Sequence, residues 1–243
     1  MKLEINIPTS LQEIPLQSYQ KFVKLATDSN DEEFVSQKMV EIFCGLQLKD
    51  VLKINYADVI ELVESFDKLF KQKTPFVERF KVNDIEFGFI PDLENISYGE
   101  YIDIDKYIHD LETYHKAMAV LYRPIVKKLG NKYEIEAYQG SHVYSELMKL
   151  APVNIALGCK VFFYNLKREL LKASLLYSEN QLKVLTSSAK STNLQNNGDG
   201  IRAYMRWLKA TLQSLTPLQE NHLESVLHTL LLKNKKQKLN LEN

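Results

Sequence analysis

Glu112 and His115 stand three apart, the Glu-x-x-His spacing with which four-helix carboxylate bundles aim two ligands at one metal. Such a centre needs a second Glu-x-x-His and two further glutamates, and the chain has no second copy of the motif. His115 also falls on an apolar stripe, where a hydrogen-bonded core histidine is the competing reading. His222 and His228 are six apart and fall on different faces of a helix. Asp103, Asp105 and Asp110 could serve as acid-base carboxylates only if folding converged them in one pocket. Near a helix start, acids have a simpler use, which is to oppose the dipole. Ser141 beside His142 makes no nucleophile-base pair by adjacency, and no Gly-x-Ser-x-Gly elbow is present. Asn196-Asn197-Gly198-Asp199-Gly200 lacks the Lys-Ser/Thr of a phosphate loop. Catalysis, a metal and a cofactor are all unexpected.

Composition narrows the partners. The 31 basic and 31 acidic residues cancel, so no whole-chain field favours nucleic acid or a membrane surface. The longest apolar stretch, Ala151 to Leu166, is interrupted by Lys160 and falls short of the ~20 residues that span a bilayer. The opening "MKLEINIP" lacks the apolar run of a signal peptide, so export by that route is not expected. Cys44 and Cys159 have no metal-ligand spacing and read as reduced core thiols.

The elements that must position these residues follow from periodicity. Lys2 to Ile7 alternate as a half-buried strand that Pro8 stops, with Leu3, Ile5 and Ile7 inward. A helix after Pro15 turns Leu16, Tyr19, Phe22 and Val23 inward. The next carries Val35, Met39, Ile42, Phe43 and Leu46 up to Gly45 at its end, and a third runs from about Tyr56 to Lys71 and packs on it. Asn83-Asp84 predicts a two-residue hairpin between strands, because both residue types tolerate the left-handed conformation. One long helix is predicted from Tyr101 to about Tyr122, ended by Arg123-Pro124, and a second hairpin turns at Gly130-Asn131. A short helix covers Val143 to Leu150, and Pro152 opens a long, central helix from Val153 to about Tyr177. The expected fold class is mainly α with small β-hairpins (α+β).

One device recurs. "IPTSLQEIPLQSYQ" from Ile7 and "IPDLENISYGEY" from Ile90 align Leu11, Ile14, Leu16 and Tyr19 with Leu93, Ile96, Tyr98 and Tyr101 at one constant offset. Each copy stops a strand with proline and turns into a capped helix, with aliphatics plugging the corner. Ser97 with Glu100 makes the cleaner capping box. Tyr98 and Tyr101 are candidate partner-binding residues, since aromatic anchors dominate interfaces.

The division expected is a helical core domain over residues 1–186, a flexible Ser/Thr/Asn/Gly linker over 187–200, and a helical pair with a basic tail over 201–243. In the last segment Tyr204, Trp207 and Leu208 give a helix an apolar side too large for it to bury alone, and they join the candidate partner-binding residues. Arg202, Arg206 and Lys209 line another face of the same helix. That arrangement reads either as a solvated surface or, with the tail lysines, as an alternative nucleic-acid contact.

"FVERFKVNDIEFGFIPDLENISYGEYIDIDKYI", followed by "HKAMAVLYRPI" and "YEIEAYQG", resembles proteins of tailed phages, particularly crAss-like phages of Bacteroidales. "IPTSLQEIPLQSYQKF" and "ALGCKVFFYNLKRELLKA" extend the resemblance to about Tyr177. It implies a structural or assembly role, either as a tail assembly chaperone or as a neck or tail-ring adaptor of the virion. The partners it implies are other phage structural proteins or further copies of the chain, met in the host cytoplasm or in the virion. It carries over no catalytic residues.

Overall fold

A computed structural model describes residues 5–130 and 132–188 of the chain. It divides into two compact units, the first running to Lys160 and the second starting at Val161. The fold class is the one expected, mainly helical with a small antiparallel sheet.

The first unit opens with a 3-10 turn, Leu11–Glu13, and the helices α1 (Leu16–Asp28), α2 (Glu32–Phe43), α3 (Leu48–Val51) and α4 (Tyr56–Phe70). Asp31 caps α2 by accepting from the Phe34 amide at 3.1 Å. At the other end Gly45 takes φ +66°, and Leu46 N–H donates to Glu41 C=O at 3.0 Å, a Schellman closure that ends the helix where the glycine predicts. The apolar stripes of α1, α2 and α4 meet through aromatic rings. Phe43 lies 5.1 Å from Phe22, 5.3 Å from Phe66 and 5.3 Å from Phe70, centroid to centroid.

The sheet follows, with β1 (Arg79–Val82), β2 (Ile85–Phe89), β3 (Tyr122–Leu129) and β4 (Lys132–Ile135) in that spatial order, all antiparallel. Asn83 and Asp84 both take positive φ, 46° and 64°, as the first predicted hairpin requires. The second hairpin also forms, with Gly130 at φ +61°. What periodicity did not predict is that β2 and β3 join, through Phe87 opposite Pro124 and Phe89 opposite Tyr122, and merge two hairpins into one sheet. Gly88 sits at that seam, where a Cβ would lie 2.4 Å from the Tyr133 ring. Tyr133 reaches across β3 and donates its hydroxyl to Phe89 C=O at 2.9 Å.

Between β2 and β3 lie α5 (Tyr98–Tyr107) and α6 (Tyr114–Leu121), where one helix was predicted. Asp110 breaks it, its carboxylate accepting from Glu112 N–H and from the Thr113 hydroxyl, both at 3.0 Å. Tyr122 belongs to β3 rather than to a helical face.

After β4 come α7 (His142–Met148) and α8 (Val153–Ser188). Val153, Ile155, Ala156 and Cys159 are buried, and Gly158 lets the helix approach Pro75, whose carbonyl oxygen would lie 2.3 Å from a Cβ there. The prediction of a central helix holds to Lys160 and fails beyond it. In the second unit Val161, Leu166, Leu176 and Tyr177 are 37% to 67% exposed. The helix also continues past Tyr177, two residues into the predicted linker; the rest of that linker and the segment 201–243 lie outside the described residues.

The predicted first strand is a second correction. Residues 5–9 have no regular structure, Ile7 is 40% exposed, and Leu3 lies outside the described residues. No strand of the four-stranded sheet takes this segment as a neighbour, and an unpaired strand has no ladder to hold it.

Candidate protein-docking site

The recurring corners adopt the same backbone at the residue that enters the helix. Pro15 has φ −67° and ψ 146°, and Ser97 has φ −68° and ψ 158°. Their surroundings differ. At the first corner Leu16 N–H donates to Ala151 C=O and Gln17 N–H to Lys149 C=O, each at 2.9 Å. Val153 N–H returns a bond to Ile14 C=O at 2.9 Å, so Pro15 and Pro152 face each other as an isolated antiparallel bridge. Two proline-headed helices thereby satisfy one another's first-turn amides, which side-chain caps would otherwise have to do. Leu11, Ile14, Leu16 and Tyr19 are all buried. The predicted capping box is modified: Glu13 accepts from Thr9 N–H and from the hydroxyls of Thr9 and Ser10, and no side chain caps the turn's backbone.

The second corner keeps its box complete. Ser97 Oγ accepts from Glu100 N–H at 3.3 Å and Glu100 Oε2 from Ser97 N–H at 2.6 Å. The other carboxylate oxygen of Glu100 accepts from Arg123 Nη2 at 2.5 Å, and both side chains are more than nine-tenths buried. The Arg123 guanidinium also lies 5.8 Å from the centre of the Tyr138 ring. The Tyr138 hydroxyl donates to Asp103 Oδ2 at 2.5 Å. Burial pushes Asp103 up, but the bonds from Tyr138 and Ser141 outweigh it and hold the carboxyl below its usual range. Burial and the Asp103 carboxylate together raise Tyr138. Tyr144, bonded to Glu136, is pushed up to about 12, first by that bond and then by burial. The network works as an anchor for α5.

Above the anchor the helix face is open. Tyr98 is 78% exposed and Tyr101 56%, one turn apart, with Ile102 beside them. These are the partner-binding residues that the sequence predicts on this element. The other three, Tyr204, Trp207 and Leu208, lie outside the described residues.

The residues with catalytic spacing do not converge. Glu112 is exposed and pairs with Lys24 at 3.0 Å, while His115 is buried with Nδ1 3.2 Å from Gln20 Nε2. The same Gln20 amide donates to Leu111 C=O at 2.6 Å, so α1 holds both members of the motif apart. Asp110 builds a turn and Asp103 holds Tyr138. His142 packs under Gly140, which has φ +111°, and its carbonyl accepts from the Ser145 hydroxyl. Cys44 and Cys159 are free and buried, with burial pushing the thiols up to about 11 and about 12. Among the described residues no cluster of three or more His, Cys, Asp or Glu could hold a metal, and no helix is long and apolar enough to cross a membrane.

Sequence reasoning missed Arg123 and Tyr138, the two residues that fix the second corner from outside its own helix. Arg123 read only as a helix end before Pro124. The one available signal was the Ser97-x-x-Glu100 box, which leaves a glutamate oxygen in need of a donor. No protein-family model, curated protein or solved structure matches the chain.

Proposed function

We propose that the chain is a non-catalytic protein-binding component of a tailed-phage virion or of its tail assembly, acting as an assembly chaperone or as a neck or tail-ring adaptor. Its partners are other phage structural proteins, met in the host cytoplasm or retained in the particle. One observation carries the protein-binding part of this reading: an aromatic pair, Tyr98 and Tyr101, stands in solvent on a helix that a buried ion pair holds rigid. Exposed aromatics on a preorganised scaffold lose little entropy on docking and make the strongest interface anchors. The phage setting is supported by the resemblance of the sequence.

Quantitative mass spectrometry of purified particles beside infected-cell lysate tests the reading. Stoichiometric copies in particles make the chain an adaptor, and abundance in lysate without particle copies makes it a chaperone. Purification with neither particles nor particle precursors overturns the proposal. Binding to nucleic acid that weakens steeply with salt would favour the nucleic-acid alternative instead.

A further inference from the structure

The first corner displays, within the same chain, what such a corner binds. Its occupant is the turn from Lys149 to Val153 that joins α7 to α8, which supplies carbonyls to the first two helical amides, an N–H to the carbonyl before the cap, and a proline opposite the cap. The second corner presents the same groups unoccupied. Ser97 and Glu100 satisfy one another, but among the described residues Tyr98 N–H, Gly99 N–H and Ile96 C=O make no hydrogen bond. They are the counterparts of Leu16 N–H, Gln17 N–H and Ile14 C=O. Gly99 has no side chain to screen its amide. Tyr98 and Tyr101 replace Leu16 and Tyr19, which the first corner buries completely or nearly so.

We propose that the second corner receives a turn of a partner protein, of the form aliphatic-Pro-aliphatic, just where that turn enters a helix of its own. The pairing is the antiparallel bridge seen between Ile14 to Leu16 and Ala151 to Val153. Backbone bonds to Tyr98 and Gly99 set its register, and the tyrosine rings cover its apolar side chains. Asp92 and Glu94 are exposed just ahead of the cap and favour a basic residue ahead of the proline, as Lys149 stands ahead of Pro152. The inference rests on the protein-binding reading above and gives it a partner chemistry.

The test uses the full chain and a fluorescent peptide copying residues 148–155, MKLAPVNI, with a scrambled peptide as control. Saturable binding is expected, weakened about fivefold or more by Tyr98→Ala and by Tyr101→Ala, as for interface anchors, and unchanged by Tyr56→Ala on α4. All three side chains are exposed, so the variants keep the fold, and far-UV circular dichroism confirms it. No binding, equal binding of the scrambled peptide, or binding indifferent to both α5 tyrosine changes overturns the inference. Particle mass spectrometry judges the functional reading separately. A chain found in virions that ignores the peptide sinks only the inference, and one that binds the peptide but enters no assembly sinks only the phage role.

Discussion

The two corners start from the same residues and end in opposite environments. Leu11, Ile14, Leu16 and Tyr19 are buried, with Ile14 and Leu16 bonded to the start of α8, while Tyr98 and Tyr101, at the matching offsets, face solvent. The caps share the extended region, Pro15 at φ −67° and ψ 146° and Ser97 at φ −68° and ψ 158°. Local sequence therefore specifies the turn, and the fate of its apolar surface depends on what the rest of the chain brings to it. Where the chain brings a carbonyl-bearing turn, proline suffices at the cap. Where it brings none, the corner carries its own serine and glutamate, and Arg123 of β3 holds the glutamate.

Matched substitutions break this comparison most sharply. Tyr19→Ala should cost about 3 to 5 kcal/mol in denaturant unfolding, as for other buried aromatics, because it opens a cavity beside Phe70. Tyr101→Ala should stay within about 0.5 kcal/mol. Equal costs would mean that the second corner is covered in solution.

The anchor comes next. Glu100→Ala leaves Arg123 as a buried, uncompensated charge and should destabilise by about 3 to 5 kcal/mol. The double change Glu100→Leu with Arg123→Met should recover much of that loss, since an apolar pair of similar volume needs no partner. A double variant as unstable as the single one would show that the network's other bonds, through Ser97 and Tyr138, matter more than the ion pair. Ser97→Ala removes only the cap and should cost about 1 kcal/mol, whereas Pro15→Ala leaves intact the carbonyls that serve the first corner and should cost less.

The smallest effect is one of pH. Burial, then Lys149 and Lys116, lower the pKa of His115 from its ordinary 6.5. The unfolded chain binds the proton more readily than the folded one, so stability is full above about pH 6.5 and falls as the pH drops below it toward the folded pKa. Protonation would also turn Nδ1 from an acceptor for Gln20 into a second donor facing it. His115→Gln should flatten the thermal melting temperature across that range. A profile identical to that of the unsubstituted chain would assign the acid sensitivity elsewhere.

Much of the fold was legible because it is local. Asn83-Asp84 named its hairpin, Gly45 its helix end, and the α2 and α4 stripes their contact. The failures are all contacts made at long range or by one side chain. Asp110 looks helical by period and is a turn by hydrogen bonding. Phe87 and Pro124 give no sign that they will pair, so the two hairpins stayed separate. The strand predicted for residues 2–7 had its alternation, but its described residues 5–7 pair with no strand. At the candidate site Tyr98 and Tyr101 were legible as aromatics at a capped helix start. Their exposure was not, because the same pattern is buried at the first corner. Arg123 was illegible for the same reason as the sheet, since its partner arrives from another element.

The bridge between Pro15 and Pro152 also sets an order of events. The first two amides of α1 find their acceptors in Ala151 and Lys149, far along the chain, so the corner closes only after that turn is in place. At about 5 to 20 residues per second, synthesis delivers Val153 on the order of ten seconds after Ile14. From the synthesis of Tyr101 onward the emerging chain carries two open corners of the same kind, and only the arrival of Ala151 and Pro152 makes them different.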